Sequence, residues 1–349
     1  LLFFLKKTGY ASLVLLGVTC LVFILFQGFG DPARLVAGQA GDQKTMQQIR
    51  KSLHLDQPRW KQLLFYINDV SPICIHPKND IEEKKLKGLF IGNNLKFGIK
   101  YPFLGKSYQS KQNVDEILGE ALPGTIVLAL AAIIFALTGG LLLGMIAAVY
   151  RGKWPDHLAI TASIAGTSFP SFFVAIVLAY LIGILWHQYS GLMPNGSLFA
   201  INEVSGRKYL EIKNLILPAV TLGLRPLAII TQLTRSSLIE VMQQDYIRTG
   251  FAKGLSKTSV MMKHALPNAF NPVLSATTGW FAEMLAGSFF IEYIFGWKGI
   301  GKVTVDALEK LDYPVVMGAV LLSATLFTLI NFLSDVLFRM ADKRIQAHS

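Results

Sequence analysis

Cysteine, charge and catalytic constellations are all scarce in this 349-residue sequence, and each shortage removes a class of protein. There are two cysteines, Cys20 inside an apolar run and Cys74 in a polar stretch, so neither a disulfide framework nor a single bridge is expected. His54, His76, His157, His187, His264 and His348 are scattered without the spacing of metal ligands. No His-Glu-x-x-His pattern and no Ser/His/Asp set occurs, which argues against a membrane-bound hydrolase. Gly296, four residues, then Gly301-Lys302 comes close to a phosphate-binding loop, but Val303 stands where a hydroxyl would hold magnesium and no strand pattern precedes it. Charged residues make up 16% of the chain against 52% hydrophobic ones. One soluble core cannot absorb that much apolar surface, and several apolar runs exceed the length needed to cross a bilayer. The net charge of +11 is not carried by interleaved basic and aromatic residues, so it is read as membrane topology and headgroup contact rather than nucleic-acid binding.

What is present is a series of long apolar runs. They predict an all-α membrane protein with six transmembrane helices, at about Gly9–Phe29, Leu122–Tyr150, Ala159–Trp186, Leu215–Leu238, Pro272–Ile291 and Val315–Phe338. The first run lacks a small-residue cleavage site and is read as a retained helix. Three divisions follow: a first membrane helix over 1–29, an extended external segment over 30–116, and a five-helix core over 117–349 with a cytoplasmic loop at 241–271. In the external segment Asp42 is a helix cap, with Met46, Ile49 and Leu53 on one helical face. Pro123 is expected in a first helical turn, Gly140 and Gly144 form a small-residue packing face, and Pro170 is expected to kink the third span while nearby hydroxyls satisfy the freed carbonyls. Arg225 and Glu283 lie at bilayer depth, where an isolated charge costs about 3 kcal/mol, so both should face protein or water. Two readings stand for them: a buried ion pair that fixes helix register, or two polar groups lining a path.

The segment Asp245–Pro272 is basic and polar among these runs. Arg248, Thr249 and Gly250 precede Gly254, nine residues intervene, and His264-Ala265-Leu266-Pro267 follows. A short helix through Phe251, a left-handed turn at Gly254 and a second helix after Ser256 would make a helix-turn-helix knob at the membrane face. This segment resembles the EAA loop of permease subunits of ATP-binding cassette importers, and its Asp-Tyr-Ile-Arg-Thr and Ala-Lys-Gly-Leu flanks resemble the dipeptide, oligopeptide and nickel permeases. Gly250 and Phe251 stand where that family usually has Ala and Arg, which weakens the helix at Gly250 by roughly 1 kcal/mol. Further resemblances are Leu53 to Pro58, Gly105-Lys106-Ser107-Tyr108, the stretch Ile291 to Gly301 with Lys298 in place of a proline, and Glu309 to Pro314. Asp69–Asn94 is longer and richer in lysine than the family pattern, either a surface insertion or a contact for a binding protein.

The resemblance implies a permease that moves peptides or related small solutes by alternating access. It implies a second homologous permease, two ATPase subunits that bind ATP and Mg, an external substrate-binding protein, and a bacterial cytoplasmic membrane location. It places ATPase coupling on Tyr246, Arg248, Thr249, Ala252, Lys253, Gly254, Leu255, Leu266 and Pro267; Pro170, Arg225 and Glu283 are candidates for the translocation pathway from their chemistry at bilayer depth alone. No cofactor, metal or catalytic residue is assigned to the chain. About twelve Lys and Arg lie near the expected inner helix ends against about six in the short outer loops, which places both termini and the docking loop inside. The rival is an ion-coupled secondary carrier, which should show intramembrane acids and broken helices in repeated halves. Glu283 suits it, but no internal repeat is visible.

Overall fold

A computed structural model describes residues 2–27, 33, 43–52, 55–201 and 208–341. The expected cap at Asp42 and the positions of Leu53, His54 and His348 lie outside these residues. The described helices are α1 (Leu2–Gln27), α2 (Gln43–Ser52), α3 (Arg59–Val70), α4 (Lys78–Glu83), α5 (Val114–Val149), α6 (Trp154–Ser168), α7 (Ser171–Leu178, continued as a π-helical stretch Ala179–Leu185) and α8 (His187–Ser190). They continue with α9 (Lys213–Val241), α10 (Asp245–Ala252), α11 (Lys257–Val260, followed by a π-helical stretch Met261–Ala265), α12 (Leu266–Gly287), α13 (Phe289–Ile294), α14 (Ile300–Glu309) and α15 (Tyr313–Ala341).

The chain forms two compact units. The first comprises Leu1–Ala121 and Val303–Thr325. Here α1 meets α3 through the stacked rings of Phe23 and Tyr66, 5.8 Å between centroids. The lysine-rich stretch after Asp69 is a three-stranded antiparallel sheet of β1 (Ile73–Pro77), β2 (Gly88–Ile91) and β3 (Leu95–Lys100), with β3 central. Ile73 pairs with Ile99 and Ile75 with Phe97, so period-two alternation puts these four side chains on one exposed face. The opposite face buries Cys74, His76 and Lys100 near Asp69, and burial pushes the His76 imidazole pKa down. Two stretches that resembled the peptide permeases separately meet here. Asp312 accepts hydrogen bonds from the Ser107 hydroxyl and from the Tyr108 amide, the latter at 2.8 Å, and Gln109 donates to the Lys310 carbonyl at 2.9 Å.

The second unit comprises Leu122–Lys302 and Leu326–Ser349, and its direction of travel can be read from the packing. Ala132 backs onto Gly223, Gly140 onto Ile230, and Gly144 onto Thr231 and Thr234, so α5 and α9 run parallel. A Cβ at Gly140 would come within 2.6 Å of Ile230, which is why glycine is needed at this crossing. In α12, Ala269 packs with Leu238, Val273 with Ala136 and Ile230, and Met284 and Leu285 with Ala129 and Ile133. That helix therefore runs antiparallel to both. Between α5 and α9 the chain returns through α6 and α7, whose axes differ by 104°. The expected kink at Pro170 is thus a complete break. Phe169, the residue before proline, is forced into an extended conformation (φ −87°, ψ 138°), and the Thr167 and Ser168 hydroxyls donate to the Ile164 carbonyl. Asp156 contacts Arg235, Gly166 lies against Ala228 and Leu224, and Ala175 packs on Leu217, so the broken helix still travels from one end of α9 to the other.

Among the described residues four helices are long and apolar enough to cross a membrane, or five if the bent α6–α7 pair is one span. Two boundaries differ from the sequence expectation. The second span starts at Val114, not Leu122, so Pro123 sits inside the helix, where it can donate no backbone hydrogen bond. Helix α12 runs from Leu266 to Gly287 where the sequence expectation was Pro272–Ile291, and among the described residues it is not apolar enough to count with those spans.

Candidate docking loop and membrane pathway

The loop between α9 and α12 folds as the spacing predicts, for local reasons. Gln244 is extended and opens α10, which ends at Lys253, and Gly254 takes φ +80° with nothing within 4 Å of where a Cβ would be. The constraint there is conformational, not steric. Ser256 then caps α11, its hydroxyl accepting from the Ser259 amide at 3.3 Å. The π-helical turn at Met261–Ala265 directly precedes Pro267, whose ring would collide with the Lys263 carbonyl in an uninterrupted α-helix.

Two faces result. Ile247 and Gly250 are buried, Ile247 within a cluster of Leu238, Val260, Met261, Ala265 and Ala269. Tyr246, Arg248, Thr249, Ala252, Lys253, Gly254 and Leu255 are exposed. Leu266 is half-buried against the cluster, and Pro267 is exposed at the start of α12. Gly250 faces inward, 3.5 Å from Val260 at its Cβ position, so it is part of the anchor and not of the free surface. The stretch of α9 that leads into the loop is fastened to α6 by a pair that spacing did not reveal. Arg235 binds Asp156 through both carboxylate oxygens, one at 2.8 Å, and Asp156 also accepts from the Gly152 amide at 2.8 Å. A sign of it was legible, because Asp156 lies three residues after the basic turn Arg151-Gly152-Lys153 and Arg235 is a charge in the last third of the apolar run Leu215–Leu238.

Facing away from its packing partners, α12 exposes Asn268, Asn271, Ser275, Gly279 and Glu283. Their spacing of three or four residues places them on one side of the helix. This polar stripe lowers the apolarity of α12, and it is the feature that a span-by-span reading of hydropathy missed. Arg225 and Glu283 are both exposed, and among the described residues no ion pair joins them. The Arg225 guanidinium instead lies 5.6 Å from the centre of the Trp280 ring. Pro170 sits at the α6–α7 break beside an open cavity of about 200 Å³ lined by Gly166, Phe169, Ser171, Leu224 and Arg225, among others.

Beyond the end of α12, Glu292 is fully buried. It accepts from the Ser288 hydroxyl at 2.6 Å and from the amides of Gly301 and Lys302 at 2.7 and 3.3 Å. Trp297 donates to the Gly124 carbonyl at 2.9 Å and the Ile300 amide to the Thr125 hydroxyl at 2.8 Å, fastening this turn to α5 beside Pro123. Burial raises the Glu292 pKa against the lowering effect of these donors.

Comparison with known proteins gives the arrangement a family. The sequence profile described as binding-protein-dependent transport system inner membrane component matches residues 140–347, and that of the amino-terminal part of the same membrane component matches residues 1–74. The chain belongs to this family. The permease is similar, at 35% identity over 99% of its length and 98% of the relative's, to the di/tripeptide transport system permease protein DppB of Pseudomonas aeruginosa. It is 34% identical to the dipeptide transport system permease protein DppB of Escherichia coli, over 99% of this chain and 98% of that one. With the glutathione transport system permease protein GsiC of the same species it shares 34% identity over 94% of each. Its fold resembles that of a chain of the inward-facing MetNI methionine ABC transporter, with a TM-score of 0.50, 16% identity, and coverage of 65% of this permease and 97% of that chain. The permease is a multi-pass, mostly helical inner-membrane component of a binding-protein-dependent transport system.

Proposed function

We propose that the permease moves peptides or closely related small solutes inward by alternating access, with ATP bound and hydrolysed on two partner ATPase subunits and not on this chain. The observation that carries this reading is the division of α10 into an anchored and a free face. Ile247 and Gly250 hold it to the helix bundle, while Tyr246, Arg248, Thr249, Ala252, Lys253, Gly254 and Leu255 are free to enter a groove on an ATPase, with Leu266 and Pro267 passing the movement to α12. The peptide class is supported by the DppB and GsiC relatives, which are di/tripeptide, dipeptide and glutathione transport permeases.

Six membrane spans serve this function, with α12 as the fifth. At 1.5 Å per residue it is about 33 Å long, enough for a bilayer core, and it runs antiparallel to α5 and α9. Its polar stripe, with Pro170, Arg225 and Glu283, lines the translocation pathway, where a second homologous permease completes the wall. Both termini and the docking loop are cytoplasmic. The parallel course of α5 and α9 supports this, because it puts Arg151, Lys153 and the basic docking loop at the same end. The segment 30–116 is external and, with its sheet, meets a substrate-binding protein, and 117–349 is the transport core. ATP binding closes the ATPase pair, moves the docked helices, and shifts the population from inward-open to outward-open.

The test is uptake of a labelled dipeptide into proteoliposomes carrying the full complex and the binding protein. Uptake that needs internal ATP and is lost with Gly254→Asp is the expected result. Uptake driven by a proton gradient without ATP would overturn it.

A further inference from the structure

We propose that the cavity at the α6–α7 break is a site for the terminal carboxylate of the transported solute, with the Arg225 guanidinium as its counter-charge. The proposal rests on the importer reading above and names the chemistry of one point on its path.

Arg225 lies roughly 18 Å along α9 from Lys213, well inside a 29-residue membrane helix and beyond reach of a headgroup phosphate. A cation at that depth requires an anion, water or an aromatic face. Among the described residues no carboxylate lies within ion-pair distance of it, and the Trp280 ring covers one face of the guanidinium at 5.6 Å. The edge of the guanidinium, where its donors lie in a planar fork, is left for a ligand, and that fork matches a carboxylate bidentately.

The walls set the ligand's other properties. Phe169, Val174 and Leu224 are apolar, and Ser171 adds a hydroxyl that makes no hydrogen bond among the described residues. The Thr221 hydroxyl is already spent on the Leu217 carbonyl at 2.7 Å. A cavity of about 200 Å³ takes a carboxylate with its terminal residue, not a folded ligand. An ammonium terminus would meet a like charge. Residues from both halves of the broken helix contribute, Gly166 and Phe169 before Pro170 and Ser171 and Val174 after it, so a change of angle at the break changes the site. Affinity that differs between the two end states is what an alternating-access path needs at such a point.

The test uses the purified complex with its ATPase subunits and second permease in nanodiscs. Trialanine and trialanine amide are titrated separately to about 10 mM while tryptophan fluorescence is followed, with Trp280→Phe isolating the Trp280 contribution. The expected result is a saturable Trp280 signal with trialanine, at least tenfold weaker with the amide, absent in Arg225→Gln and retained with weaker affinity in Arg225→Lys. Equal responses to acid and amide, no response in the native complex, or an unchanged response in Arg225→Gln would each overturn the proposal. ATP-dependent uptake is measured with the same purified complex reconstituted into proteoliposomes with the binding protein: its absence would sink the importer reading, while the titration alone decides the carboxylate site.

Discussion

Glu292 is fully buried and is held by the Ser288 and Thr125 hydroxyls and by the amides of Gly301 and Lys302. Replacing it by Ala would take the acceptor from the buried Gly301 amide, at about 1–3 kcal/mol, whereas Gln retains an acceptor for it. We expect Glu292→Ala to lower the unfolding midpoint of the purified complex well below that of Glu292→Gln. The pH dependence has a definite sign. Burial raises the folded-state pKa above the unfolded value, so the folded state holds its proton longer, and stability contributed by this group falls as pH rises from the ordinary carboxyl range through the folded pKa. The native protein should therefore lose stability relative to Glu292→Gln over that window and run level with it at higher pH. At Gly250 the inward-facing Cβ position has room at 3.5 Å, so Gly250→Ala should strengthen α10 by about 1 kcal/mol, read as slower amide exchange, without impairing transport. The sequence showed Gly250 as a departure from the permease pattern, but not that it faced Val260. Residue type was legible there, and orientation required the packed cluster.

The Asp156–Arg235 pair ties the turn between α5 and α6 to the last turns of α9, next to the candidate docking loop. Asp156 is 3% exposed and Arg235 26%, so removing the carboxylate strands a partly buried guanidinium at a cost of about 3 kcal/mol. Asp156→Asn should reduce transport per ATP hydrolysed as well as stability, because α6 would no longer follow α9. Arg225 and Glu283 behave differently: with no ion pair between them, reversing both charges should give additive losses of uptake and no rescue. Helix existence was legible throughout the apolar runs. Boundaries were less so, since Pro123 permits a helix that begins at Val114 and Pro170 divides one span into two at 104°. The span α12 was found from its proline and apolar residues, but its polar stripe was invisible until the opposite face was seen packed against α5 and α9.

Across the whole molecule, the docking loop, the broken helix and the polar stripe make sense as parts of an assembly and not as a self-sufficient carrier. The spacing from Gly254 to Pro267 made the loop legible in the sequence because a left-handed turn and a helix start need particular residues at fixed positions. The meeting of Ser107 and Tyr108 with Asp312 could not be read, since it depends on a contact across some two hundred residues of chain. The most direct test of the docking account is co-purification of a tagged permease with its co-expressed partners in mild detergent, comparing native Gly254 with Gly254→Asp. Asp at φ +80° costs about 1–2 kcal/mol and places a charge on the free face of the loop. The account predicts ATPase subunits with the native permease and their loss from the variant, which still inserts in the membrane and retains its second permease. ATPase subunits recovered equally with both forms, or with neither after crosslinking at the loop, would contradict it.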